Sequence, residues 1–168
     1  GRQLEKHPNQ RFFSAAQNDG WHAGHCICKR CRSWDHPEGE QRPFMWQGMG
    51  QRYLALSDRH VTFANQCARL LRERYPEKEY SVGMLGYGHT RPAPVEAVPE
   101  RNVVVNHVAN FFLRTDHVDR GSPQGRLERD QFAAWAERNP PNLAWRPNTG
   151  GGIGWRAGLP NVPLTQTI

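Results

Sequence analysis

The sequence predicts a parallel α/β fold on three observations. Short runs rich in apolar, β-branched or aromatic residues, "RFFSAAQ" (11–17), "EYSVGMLGYG" (79–88), "NVVVNHV" (102–108) and "NLAWR" (142–146), read as strands. Two stretches with apolar residues at helical spacing lie between strands. The order strand, helix, strand, strand, helix, strand, with long loops after the strands, suits a sheet built by crossover connections.

The first strand ends in Asn18-Asp19-Gly20, a turn signal. Residues 31 to 52 mix Pro, Gly, Trp, Met and charge without a period, which predicts a long ordered excursion rather than a regular element. Ser57 is placed to cap the first helix, in which Val61, Ala64, Cys67, Ala68 and Leu71 share a face until Pro76 closes it. The strand at 102–108 is uncharged and β-branched, as expected where both faces are buried. Before it, "HTRPAPVEAVPE" (89–100) is too proline-rich for either regular element and must stand in for a helix. The second helix spans Leu127 to Arg138 with Phe132, Trp135 and Ala136 on one side, and Pro140-Pro141 stop it. A Gly/Pro-rich, weakly structured tail follows from Pro147.

The 168 residues allow one domain with a core, whereas a complete (β/α)8 barrel takes about 250. The net charge of +6 would suit an acidic partner, but the basic residues are scattered among acidic ones and form no stripe, so no nucleic-acid partner is expected. No stretch approaches the roughly 20 apolar residues of a membrane span, and the first ten residues lack the apolar core of a secretory signal.

"SAAQNDGW", "CICKRC", "SDRHVTFANQCARLLRERYPEKEYSVGMLGYGHTRPAP" and "RNVVVN" follow one another in an order that resembles the bacterial domain of unknown function 4838 family, which includes the glycosidases of glycoside hydrolase family 163. The resemblance covers roughly residues 11 to 106. It implies an internal slice of a (β/α)8 barrel, about four parallel strands. It further implies cleavage of glycosidic bonds in glycans containing N-acetylglucosamine, no cofactor in catalysis, and an extracellular or periplasmic location.

Glycoside hydrolysis calls for a proton donor and a group that stabilises charge at the anomeric carbon. Asp19 is the acid right at a predicted strand end, which makes it the catalytic candidate; turn formation is the rival reading. No glutamate occupies a strand end, so the general acid is expected outside this chain. Asn18, Trp21, Tyr87, His89, Asn106, His107 and Trp145 lie near strand ends as candidate sugar contacts, each with packing or capping as its alternative. His36, His60 and His117 read as surface residues.

Cys26, Cys28 and Cys31, with His25 or His22 as a fourth ligand, have the makings of a structural zinc site. A disulfide and three free thiols are the rival readings. Cys67 reads as a small buried hydrophobe on the first helix. Two further functions stand beside the glycosidase: a non-catalytic carbohydrate-binding domain and a zinc-stapled nucleic-acid-binding module. A glycan partner fits the first two.

Overall fold

The structure, a computed structural model, describes residues 4, 6–17, 25–43, 52–109, 123–138 and 142–147. In chain order the elements are β1 (Phe12–Ser14), α1 (Lys29–Arg32), β2 (Gln41–Pro43), β3 (Arg52–Leu54), α2 (Ser57–Arg74), β4 (Ser81–Gly86), a 3-10 turn at Gly88–Thr90, β5 (Val103–Ala109), α3 (Pro123–Arg138) and β6 (Leu143–Pro147). Among the described residues β1, β4, β5 and β6 form one sheet in that order, every pair parallel. The fold is mixed α/β, as expected, and among the described residues no helix is long and apolar enough to cross a membrane.

The two faces of the sheet have different neighbours. Val82 and Met84 of β4 and Val103 and Val105 of β5 pack with Val61, Ala64 and Ala68 of α2 and with Trp135 of α3 in one core. Fully burying each of the larger of these side chains contributes about 1.5–3 kcal/mol, enough to fix which face the helices cover. By strand alternation Phe12, Ser14, Gly83, Leu85, Val104 and Asn106 belong to the opposite face. There Phe12 lies over Gly83 and remains 49% exposed, and Leu85, Val104 and Asn106 are half-buried.

The helix-replacing segment between β4 and β5 is held from outside by α2. Asp58 accepts the backbone amides of Val95, Glu96 and Ala97 at 2.9, 2.8 and 2.8 Å. Asn65 donates to the Val98 carbonyl and accepts the Glu100 amide, both at 2.9 Å. Arg69 and Arg72 pair with Glu100, and Arg72 also donates to Asn102 Oδ1 at 2.7 Å. A proline-rich segment cannot form a regular ladder of its own, so its amides at 95–97 and 100 and its Val98 carbonyl take their partners from a rigid neighbour.

Four expectations need correction. Residues 31–52 contain the end of α1 and the start of an antiparallel pair, β2 with β3, in register Gln41↔Leu54; elements of three or four residues are too short to show a period. Ser57 does not cap α2. Leu56 holds the cap position without a side-chain bond, and the Ser57 hydroxyl donates to the Pro92 carbonyl in a short hydrogen bond. His60 is not a surface residue: it is half-buried with Nε2 2.6 Å from the Ala15 carbonyl, because that side of α2 meets the end of β1. His36 is half-buried too, and His117 and residues 148–168 lie outside the described residues.

Candidate functional site

The carboxyl ends of β1 and β4 are tied together by one side chain. Gln17, three residues beyond β1, donates from Nε2 to the Tyr87 carbonyl at 2.9 Å and to Thr90 Oγ1 at 3.1 Å. Thr90 is itself buried, and its hydroxyl reaches back to the Leu85 carbonyl at 2.6 Å. The turn between them needs a left-handed residue and has one in Gly88, with φ +57°. The chain therefore leaves β1 at a fixed point on the rim of the sheet. The next two residues, Asn18 and Asp19, lie outside the described residues, as do Trp21 and His22.

The remaining candidate sugar contacts divide between two faces. Asn106 and, by continued alternation through its extended backbone, Tyr87 belong to the face away from the helices, and both are half-buried. His107 and its neighbour in register, Trp145, belong to the face that α3 covers. Their rings stack with centroids 5.7 Å apart, and Phe132 of α3 meets both edge-on, 5.7 Å from His107 and 5.1 Å from Trp145. His107 is fully buried and separated from the Asn106 side by the sheet itself.

Beneath His107 lies a buried charged group. Arg91 and Glu128 form an ion pair in close contact, and Glu128 Oε2 is 3.7 Å from His107 Nε2. Trp135 Nε1 donates to the Arg91 carbonyl at 2.9 Å, which fixes the start of the proline-rich segment against α3. Burial, followed by the positive charge of Arg91, pushes the pKa of His107 down to about 4, so the ring is neutral near pH 7. The carboxylate of Glu128 acts the other way, but Arg91 already engages its charge at closer range.

His89, on the 3-10 turn, meets His25 edge-on with ring centroids 4.2 Å apart. Burial and the neighbouring His25 lower its pKa to about 4, and burial, then Arg59, lowers that of His25. One residue beyond His25 the cysteine cluster begins. The Sγ atoms of Cys26, Cys28 and Cys31 lie within 4.8 Å of one another; all are free thiols, Cys26 and Cys28 are exposed and Cys31 is half-buried. The Cys31 amide donates to Cys28 Sγ at 3.4 Å and helps bring the Cys28 thiol down to about 7, whereas the hydrogen bonds Cys31 makes to the Cys26 and Cys28 sulfurs push its own thiol up to about 11. Among the described residues this metal-capable group comprises the three sulfurs and not His25. Cys67, as expected, packs against the core.

Arg59 straps this loop to the start of α2. Its guanidinium donates to the Cys26 carbonyl at 2.8 Å and makes a two-point ion pair with Asp35, through Nε at 2.7 Å and through Nη2 at closer range. Reading the sequence missed Gln17, Arg59, Arg91 and Glu128. Only Glu128 carried a signal, an acid on the side of a helix that also presents Gln131 and Trp135.

Residues 1–137 match the family model described as "Domain of unknown function (DUF4838)". Nothing among the curated proteins and nothing among the solved structures matches the chain.

Proposed function

We propose that this chain, which belongs to the DUF4838 family, is a section of a glycoside-hydrolase barrel that acts on glycans containing N-acetylglucosamine. The observation that carries the reading is the Gln17 tie. It anchors the chain two residues before Asp19 to the carboxyl end of β4, on the rim where catalytic groups of parallel α/β folds gather. An all-parallel sheet with both helices on one face supports the barrel reading, since the other face is the one a barrel turns inward.

In this reading Asp19 acts on the substrate's own acetamido group. The acetamido oxygen attacks the anomeric carbon as the glycosidic bond breaks, and Asp19 accepts a hydrogen bond from the amide N–H, stabilising the positive charge that develops there. Asn18, Trp21, Tyr87 and Asn106 contact the sugar. The proton for the leaving oxygen comes from a carboxyl group outside this chain. His107 and Trp145 then support β5 and β6 from the helix side, and the family resemblance points to an extracellular or periplasmic location.

Hydrolysis of N-acetylglucosamine-containing oligosaccharides by the full-length parent protein and its Asp19→Asn variant tests the proposal. The variant is expected to lose at least about a hundredfold in turnover with an unchanged circular dichroism spectrum. Undiminished turnover removes Asp19 from the mechanism. Glycan affinity that is insensitive to salt is expected, whereas nucleic-acid binding that falls steeply with salt would turn the assignment toward a zinc-stapled nucleic-acid module.

A further inference from the structure

We propose that Cys26, Cys28 and Cys31 together bind one zinc ion and that this ion closes the far end of the segment that carries Asp19. The second half of the statement rests on the glycosidase reading; the first does not.

The geometry suits a single ion. Zinc–thiolate bonds of about 2.3 Å in a tetrahedron put the sulfurs about 3.8 Å apart. The three Sγ atoms already lie within 4.8 Å of one another, so small side-chain rotations complete the set. A four-iron, four-sulfur cluster would spread its thiolates farther, because each binds a different iron. The Cys31 amide aimed at Cys28 Sγ supplies the hydrogen bond that a metal-bound thiolate accepts.

Charge supports it as well. Binding converts three thiols to thiolates and releases three protons to solvent, leaving a zinc–trithiolate unit of charge −1 with one coordination position left for water or a further side chain. Lys29, Arg30 and Arg32 occupy the short helix inside the loop, and Arg59 donates to the Cys26 carbonyl. This basic surround favours the anion.

The position of the loop gives the ion its role. Residues 18–24 run from Gln17, bound to Tyr87 and Thr90, to His25 and Cys26, which meet His89 and Arg59. Both anchors of that seven-residue span therefore reach the same turn after β4. Zinc makes the second anchor rigid by joining α1 to Cys26.

The test is metal analysis of the intact protein with thiol titration. One zinc per chain is expected, lost in the Cys26→Ser/Cys28→Ser/Cys31→Ser variant and retained in Cys67→Ser. Cobalt substitution is expected to give the near-ultraviolet thiolate-to-metal charge-transfer band. A protein that binds no stoichiometric zinc, whether its loop thiols are free or joined in a disulfide, overturns the site. Removing zinc is expected to speed proteolytic cleavage within residues 26–32 by about tenfold; an unchanged cleavage rate with zinc bound and removed overturns the anchoring role. Stoichiometric zinc in a protein that hydrolyses no glycan would leave the metal site standing and remove the glycosidase reading, whereas normal turnover in Asp19→Asn would remove Asp19 from the mechanism alone.

Discussion

The carboxylate of Asp58 accepts the amide of Glu96 at 2.8 Å, and with the adjacent amides of Val95 and Ala97 it forms a three-pronged clasp between the first turn of α2 and the irregular β4–β5 connection. Asp58 is 6% exposed, so water does not replace these bonds when the carboxylate is removed. Asp58→Ala should therefore destabilise the fold by about 3 kcal/mol, while Asp58→Asn, which keeps one acceptor oxygen, should cost less. Urea unfolding of the two variants checks the order.

Acid should weaken the fold through His107. The unfolded imidazole takes up its proton near pH 6.5, but the folded ring, buried beside Arg91 and faced by Phe132, Trp145 and Glu128, takes it only near pH 4. The stability contribution is complete above pH 6.5 and falls as the pH drops from 6.5 to 4, by on the order of 3 kcal/mol. Burial lowers the pKa of His60 as well, with the same sign. Unfolding free energies measured across this window should show a shallower pH slope in His107→Leu than in the parent.

Arg91 and Glu128 are 6% and 0% exposed in their side chains, and each neutralises the other inside the protein. Glu128→Gln leaves a buried guanidinium beside a neutral amide, with an expected loss of about 3–5 kcal/mol. The double variant Arg91→Met/Glu128→Leu should recover most of it, since no charge is then stranded. Thermal unfolding of Glu128→Gln, Arg91→Met, Glu128→Leu and the double variant checks this, the last three compared with the parent as a double-mutant cycle.

Trp135 serves both the core and the connection. Trp135→Phe retains most of the buried area but removes the donor to the Arg91 carbonyl, at an expected cost of about 1–2 kcal/mol. Trp135→Ala also opens a cavity and should cost about 3–5 kcal/mol. A Phe variant as stable as the parent would show that the hydrogen bond contributes nothing net.

The four sheet strands and both long helices were legible because each carries a pattern long enough to read. Val61, Ala64 and Ala68 recur on one side of α2, and β5 is an uncharged β-branched run. The hairpin strands were not legible: β1 is equally short but lies in the apolar run 11–17, whereas β2 and β3 lie in a mix of Pro, Gly and charge that marks no element. Which face of the sheet a strand-end residue joins was also hidden. Asn106 and His107 are adjacent in sequence, yet alternation separates them, and only the location of α3 decides which is covered. Ser57, Asp58 and Asn65 were visible as motif residues, but their partners lie at Pro92 and 95–100, and no local spacing announces so distant a bond. The cysteine cluster was legible as a group; its tie through Arg59 to Asp35 was not.

The clasp from α2 also bears on how the chain reaches its native state. The hydrogen bonds from Ser57, Asp58 and Asn65 join residues 33 to 39 positions apart, and a connection of this kind cannot acquire order by itself as a helical crossover would. Large loops must close before β5 finds β4. High contact order of this sort predicts refolding in the slower part of the range for domains of this size, with α2 serving as the template on which the second half of the sheet assembles.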